Sequence, residues 1–233
     1  MTSMTERSPR QTRTRGERTR NALKLAALDL LVRDGFHDLK IADICRLAGV
    51  ANGTFYIHFP DKAALAIEVT REKLLENEHY IFGGPATDDL YDAIFDANRR
   101  MIATFVEAGP LNRVLVQLID SQPEMRAFWQ ASLARISKRI ARALALHAPE
   151  SKPHNDMRFF VAQAAQGLVD SVMLQIFAWE DGGLIAYAQT PDLLAEHLSI
   201  LWFRLVYGQT PPSEKLVHGS TIPTLTLTAP REA

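Results

Sequence analysis

One cysteine in 233 residues means that no disulfide can form within the chain. No run of about 18 apolar residues is present, which leaves no segment written as a membrane span. The first twenty residues are polar and arginine-rich and lack the apolar core of an export signal. These features lead us to expect a cytoplasmic protein with no membrane partner. Strand-like alternation is confined to residues 221–227, so sheet architectures are disfavoured. An excess of either charge sign is lacking as well, with a net value of −1. That balance conceals an asymmetry: residues 1–60 carry ten Lys or Arg against six Asp or Glu, so +4, leaving −5 for the remainder. A basic end suits phosphate neutralisation.

What is present is apolar residues in helical period. Composition is 47% hydrophobic, ample for a core. Ile41, Ile44, Cys45 and Ala48 recur at i, i+3, i+4 and i+7, the stripe of a buried helical face. Gly49 follows, and glycine readily takes the left-handed conformation that ends helices. A second short helix is expected from Asn52, anchored by Phe55 and Phe59 four residues apart. Turning at 100° per residue, it leaves Gly53, Thr54, Ile57 and His58 outward, with Asn52 and Tyr56 at the flanks. This is a helix-turn-helix over residues 40–59, and its polar outer face suits a DNA groove. Cys45 lies on the inner stripe, where a cysteine acts as a small buried hydrophobe.

The rest of the chain punctuates clearly. Residues 1–16 are too poor in apolar side chains to offset the entropy of ordering and are expected to form a basic arm. Arg7, Arg10, Arg13, Arg15, Arg18 and Arg20, in the arm and the first helical turn, could follow phosphates. A first helix over residues 17–33 carries Leu23, Ala26, Ala27, Leu30 and Leu31 inward and stops at Asp34-Gly35. Asp38 is the expected cap of the second helix, and Pro60-Asp61 that of the fourth. Further helices are expected over residues 88–108, 111–120, from Pro123 to about 148, 156–180 and 190–207, separated by Gly-Pro and Pro-rich breaks. The total is about nine helices in an all-α protein, with residues 209–233 as a disordered tail.

The residues Gly35-Phe36, Ile41-Ala42-Asp43-Ile44, Ala48-Gly49-Val50, Gly53-Thr54-Phe55-Tyr56, His58-Phe59 and Lys62 resemble the DNA-binding signature of the TetR-type (tetracycline repressor) transcriptional regulators. The resemblance covers residues 17–77. It implies an N-terminal helix-turn-helix domain and, over residues 78–208, a helical effector-binding and dimerisation domain. It also implies a homodimer that binds a palindromic double-stranded operator, associates with the nucleoid and represses until a small effector releases it. At the positions that match the family's motif, Asn52, Gly53 and Thr54 would approach base edges or nearby phosphates. Tyr56, His58 and Lys62 would hold phosphates and fix the register. The chain departs from the family's pattern at Leu39-Lys40, where Thr or Ser is usual, so Lys40 would replace a neutral backbone contact with a charge. Ala51 stands where Ser often caps the recognition helix.

One short recognition helix spans too few base pairs for selectivity in a genome, which calls for two-fold pairing. The last two helices are the candidates, with Leu198, Leu201, Trp202, Phe203 and Leu205 on the final one. About 150 residues remain after the DNA-binding unit, enough for a pocket among the central helices. Polar residues interleaved with apolar faces mark its candidate lining: Gln117, Asp120, Gln163, Gln166 and Asp170, beside Phe105, Trp129 and Phe159. A small, mostly apolar effector is expected. An enzyme is the competing class, since Glu76-x-x-His79 has the spacing of a di-metal ligand pair. A second copy is missing and the remaining histidines form no metal spacing, so no catalytic residue, metal or cofactor is expected. A scaffold that binds only protein is the other alternative.

Overall fold

The computed structural model describes residues 14–84, 87–147 and 155–222. Among them every regular element is helical: α1 Arg15–Asp38, α2 Ile41–Ala48, α3 Asn52–His58, α4 Lys62–Phe82, α5 Leu90–Ala108, α6 Leu111–Ser121, α7 Pro123–His147, α8 Asn155–Phe177 and α9 Pro191–Tyr207. Short 3-10 turns lie at Ile185–Gln189 and Ser213–Lys215. The all-α expectation holds. The chain divides into two compact units, residues 1–69 and 70–233.

In the first unit, Thr14 starts α1 with a reciprocal cap. Its hydroxyl accepts from the Glu17 amide at 3.2 Å while the Glu17 carboxylate accepts from the Thr14 amide at 2.7 Å. Two orphan donors are thereby satisfied, so α1 begins before the expected residue 17. The rest of the expected arm, residues 1–13, lies outside the described residues. Leu23, Ala26, Ala27, Leu30 and Leu31 face inward as their spacing predicts. The direction changes at Gly35, whose φ of 78° and ψ of 177° belong to glycine alone. One further turn then carries helical structure to Asp38 and buries Phe36. Asp38 therefore closes α1 instead of capping α2. The cap position of α2 is Lys40, which makes no side-chain cap bond.

In the second unit, α7 packs on α8 and α5 on α9. Their core includes Ile102, Met173, Ile176, Ala195, Leu198 and Trp202. The expected disordered tail is corrected for residues 209–222, which lie as a strap on α5 and α9. Glu196 is fully buried, and its two carboxylate oxygens each accept a strap amide at 2.8 Å, from His218 and Ser220. Lys215 reaches Asp92 at 2.6 Å and Asp89 at 3.2 Å. The His218 ring stacks on Phe95, with centroids 5.2 Å apart. A buried carboxylate must have partners, and here the strap supplies them. Residues 223–233 lie outside the described residues.

Among the described residues α8 is the one helix long and apolar enough, by length and composition, to cross a bilayer, yet only 28% of that stretch is buried. Its open side carries Met157, Phe160, Ala164, Gly167 and Ser171. On α9, Leu201 and Leu205 are exposed. Leu198 and Trp202, read from the sequence as interface residues, instead face the core at 2% and 7% exposure. Phe203 packs against Tyr91 and Tyr207.

Candidate nucleic-acid interface and ligand cavity

Helix α2 ends on Gly49, at φ 68° and ψ 33°, whose amide returns to the α2 carbonyls. This is the left-handed cap read from the sequence. Helix α3 is then fastened by two rings, Phe55 at 0% and Phe59 at 2% exposure, with centroids 5.9 Å apart. Arg20 lies over the Phe59 ring at 4.4 Å and pairs with Glu68. Hydrogen bonds from Arg20 hold the Glu68 carboxyl below the usual carboxylate range. Arg20 therefore serves the internal structure of the unit, not only the expected basic arm.

On the other side of α3, Asn52, Gly53, Tyr56 and Ile57 are exposed, and Thr54 and His58 are half-buried. Tyr56 is 60% and Ile57 78% exposed. The Tyr56 ring rests edge-on against Phe55, leaving its hydroxyl outward-accessible on a rigid base. Lys40 is exposed just before α2. Ala51 at the start of α3 makes no side-chain cap bond.

Lys62 has an internal job that sequence reasoning missed. Its ammonium donates to the carbonyls of Leu39 at 2.9 Å, His37 at 3.0 Å and Phe36 at 3.3 Å. An ammonium has three donors, and these three acceptors occupy them. Lys62 thus closes the carboxyl end of α1 and orients the entry to α2. At the start of the same helix, Asp61 accepts the Ala64 amide at 2.8 Å, as its cap role predicts.

The second unit encloses a cavity of about 290 Å³ lined by α4 through α9. Its walls are mostly apolar, with Leu90, Ile94, Met101, Leu133, Ile136 and Ile140 among them. Of the residues expected there, Phe105, Trp129, Gln166 and Asp170 line it. Gln117, Asp120, Phe159 and Gln163 do not. Helix α6 meets the cavity through Asn112 and Leu115, and from Leu115 the helical rotation carries Gln117 about 200° and Asp120 about 140° away. Asp120 is accordingly solvent-facing beside Arg126. Phe159 and Gln163 share the face of Gln166 but sit about two turns and one turn, respectively, nearer the start of α8, short of the cavity.

Most polar groups in the wall are already paired. Asn98 donates to Ser199 at 2.9 Å. Asn112 caps the Phe105 and Gly109 carbonyls at 2.8 Å each. Glu78 takes two bonds from Arg135, and Arg139 donates to the Phe82 carbonyl at 2.9 Å. Gln166 accepts from Ser137 at 3.2 Å. Asp170 differs: burial pushes its carboxyl up to about 7, opposed only by a hydrogen bond with Gln166. Asn98 was detectable in the sequence, since it lies on the apolar stripe of α5 with Ile94 and Ile102. Glu78 and Arg139, on helices with several charges, gave no such signal. Among the described residues no three His, Cys, Asp or Glu side chains gather as a metal site.

An exposed recognition helix stapled to a three-helix core defines a helix-turn-helix DNA-binding protein, and the comparisons with known proteins agree. Residues 25–69 match the model of the bacterial regulatory proteins of the tetR family. The chain is similar to the HTH-type transcriptional regulator EthR of Mycolicibacterium smegmatis, with 25% identity over 219 residues, 89% of this chain and 94% of that protein. Residues over 21% of the chain are 35% identical to a quarter of the fatty acid metabolism regulator protein of Bacillus subtilis. Among solved structures, a TetR-like transcriptional regulator from Rhodococcus sp. RHA1 superposes with a TM-score of 0.62 at 17% identity, covering 85% of this chain and all of that one. The fatty acid degradation regulator FadR of Bacillus halodurans gives 0.56 at 17% identity over 79% and 96%. Residues 25–69 thus carry the DNA-binding unit of the tetR-family bacterial regulatory proteins, and the chain shares the fold of TetR-like regulators.

Proposed function

We propose that the protein is a ligand-responsive repressor that binds a palindromic operator as a homodimer in the cytoplasm and leaves it when a small, mostly apolar effector fills the cavity. The observation that carries the DNA reading is the outer face of α3, polar and open on a base locked by Phe55 and Phe59. Asn52, Gly53 and Thr54 approach the base edges, while Tyr56, His58 and Lys40 take phosphates. Lys62 acts behind them by holding the α1–α2 junction. Tyr56→Ala is expected to weaken binding to the promoter DNA beside its gene about tenfold or more, the scale of a lost hydrogen bond to a charged group. A gel shift with the full chain measures this, and unchanged affinity would remove Tyr56 from the interface.

Dimerisation is supported by α8, an apolar helix with most of its surface open. Phe160 is 68% exposed, and Ala164, Gly167 and Ser171 beside it are small enough for a second helix to approach closely. With Leu201 and Leu205 of α9 they form the surface that a second copy would cover, giving a four-helix interface. Phe160→Glu is expected to shift the protein to monomer in sedimentation velocity while leaving its helical content intact. A monomeric parent protein would refute the assignment. Effector release is supported by the cavity's size and its apolar walls, which suit a small organic ligand.

A further inference from the structure

From the geometry of the cavity we infer that its ligand is an apolar compound bearing one protonated nitrogen, an alkyl or aryl amine, with Asp170 as its counter-charge. The inference rests on the reading of this cavity as the effector site and specifies the chemistry that the site selects.

Asp170 is the wall's one acid without a basic partner among the described contacts. Glu78, the other acid there, is held by Arg135. The cation of the wall, Arg139, is turned to the Phe82 carbonyl and lies over the Phe82 ring at 4.8 Å. Around Asp170 the polar chain runs one way: Ser137 donates to the Gln166 carbonyl oxygen, which leaves the Gln166 amide nitrogen to donate to Asp170. That is one hydrogen bond for a carboxylate able to accept about four. An acid in this position lacks donors and positive charge, and a ligand that brings both satisfies it. Trp129 and Phe105 line the same cavity, and aromatic side chains attract ammonium groups. A carboxylate ligand would meet the reverse, an unpaired acid in an apolar wall.

Octylamine, 1-octanol and octanoate share one chain and differ in head-group charge, so titrating each into the full-length protein by calorimetry isolates the head group. At pH 8 octylamine is expected to bind at least about tenfold more tightly than octanol, and octanoate most weakly. Asp170→Asn, close to isosteric, should abolish the preference for amine over octanol while octanol itself still binds. In the parent protein that preference should shrink about tenfold between pH 8 and pH 6, because amine binding at the lower pH must first expel a proton from Asp170. In the variant it should stay level. An amine preference that survives in Asp170→Asn, or octanoate as the tightest of the three, would overturn the inference and leave the cavity as a ligand site. Failure of all three to bind would overturn the effector site itself, and the inference with it.

Discussion

Phe55→Ala is expected to destabilise the DNA-binding unit by about 3–5 kcal/mol, the usual cost of emptying a large aromatic site in a packed core. Phe55 has no exposed surface and meets both Phe59 and Tyr56. Helix α3 has seven residues and no side-chain cap, so little besides these rings holds it in place. Isolated helices of that length are not stable in water. A unit of some seventy residues has a small core and total stability of about 5–15 kcal/mol at most. The loss is therefore enough to leave α3 largely unformed. Hydrogen exchange should show fast amides over residues 52–59, and DNA binding should vanish with them. Ile57→Ala supplies the comparison, because that side chain is 78% exposed and surface changes of this kind cost within about 0.5 kcal/mol. Equal protection in the two variants would refute the anchoring role of Phe55.

The contrast between Phe55 and Ile57 was legible in the sequence because it depends only on helical period over a few residues. Gly49 as a left-handed cap, Asp61 as the cap of α4 and buried Cys45 are equally local, and the structure places them as read. What was not legible depends on partners distant along the chain. Lys62 looks like a surface cation until the fold brings three carbonyls from residues 36–39 to its ammonium. Residues 209–222 are polar and proline-rich by composition, yet the acid that fastens them, Glu196, sits in another helix. The cavity shows the same limit. Periodicity selected the correct face of α8 for Phe159, Gln163, Gln166 and Asp170, but only the last two are at the depth where the helices part. A face is a property of spacing, whereas depth is a property of how several helices cross. Likewise Leu198 and Leu201 are both apolar residues of α9, and only packing decides that one turns inward and the other outward.

Asp170→Asn is expected to stabilise the second unit at pH 8 and to do nothing at pH 4. An aspartate titrates near 3.9 in an unfolded chain, whereas burial in the cavity wall pushes Asp170 up to about 7. Between those values the folded protein binds more protons than the unfolded one, so stability falls as pH rises through this range and the loss is complete above about pH 7. The full shift would correspond to about 4 kcal/mol. The carboxyl keeps some accessible surface toward the cavity, and water there reduces the cost, so about 2–4 kcal/mol is expected. Asparagine does not ionise and escapes the penalty. For a unit of this size each kcal/mol raises the melting temperature by about 2–4 °C, giving a gain of roughly 4–16 °C at pH 8 that declines to zero toward pH 4. Melting curves of both proteins across that range would reveal it, and a difference independent of pH would show that Asp170 is not buried with a raised pKa. The same charge explains why an acid would be tolerated here at all. In the empty protein ionised Asp170 is a liability, and an ammonium ligand that pairs with it recovers the lost stability only in the bound state. Octylamine should therefore raise the melting temperature of the parent protein at pH 8 more than that of Asp170→Asn, so that the gap between the two narrows as the amine concentration rises.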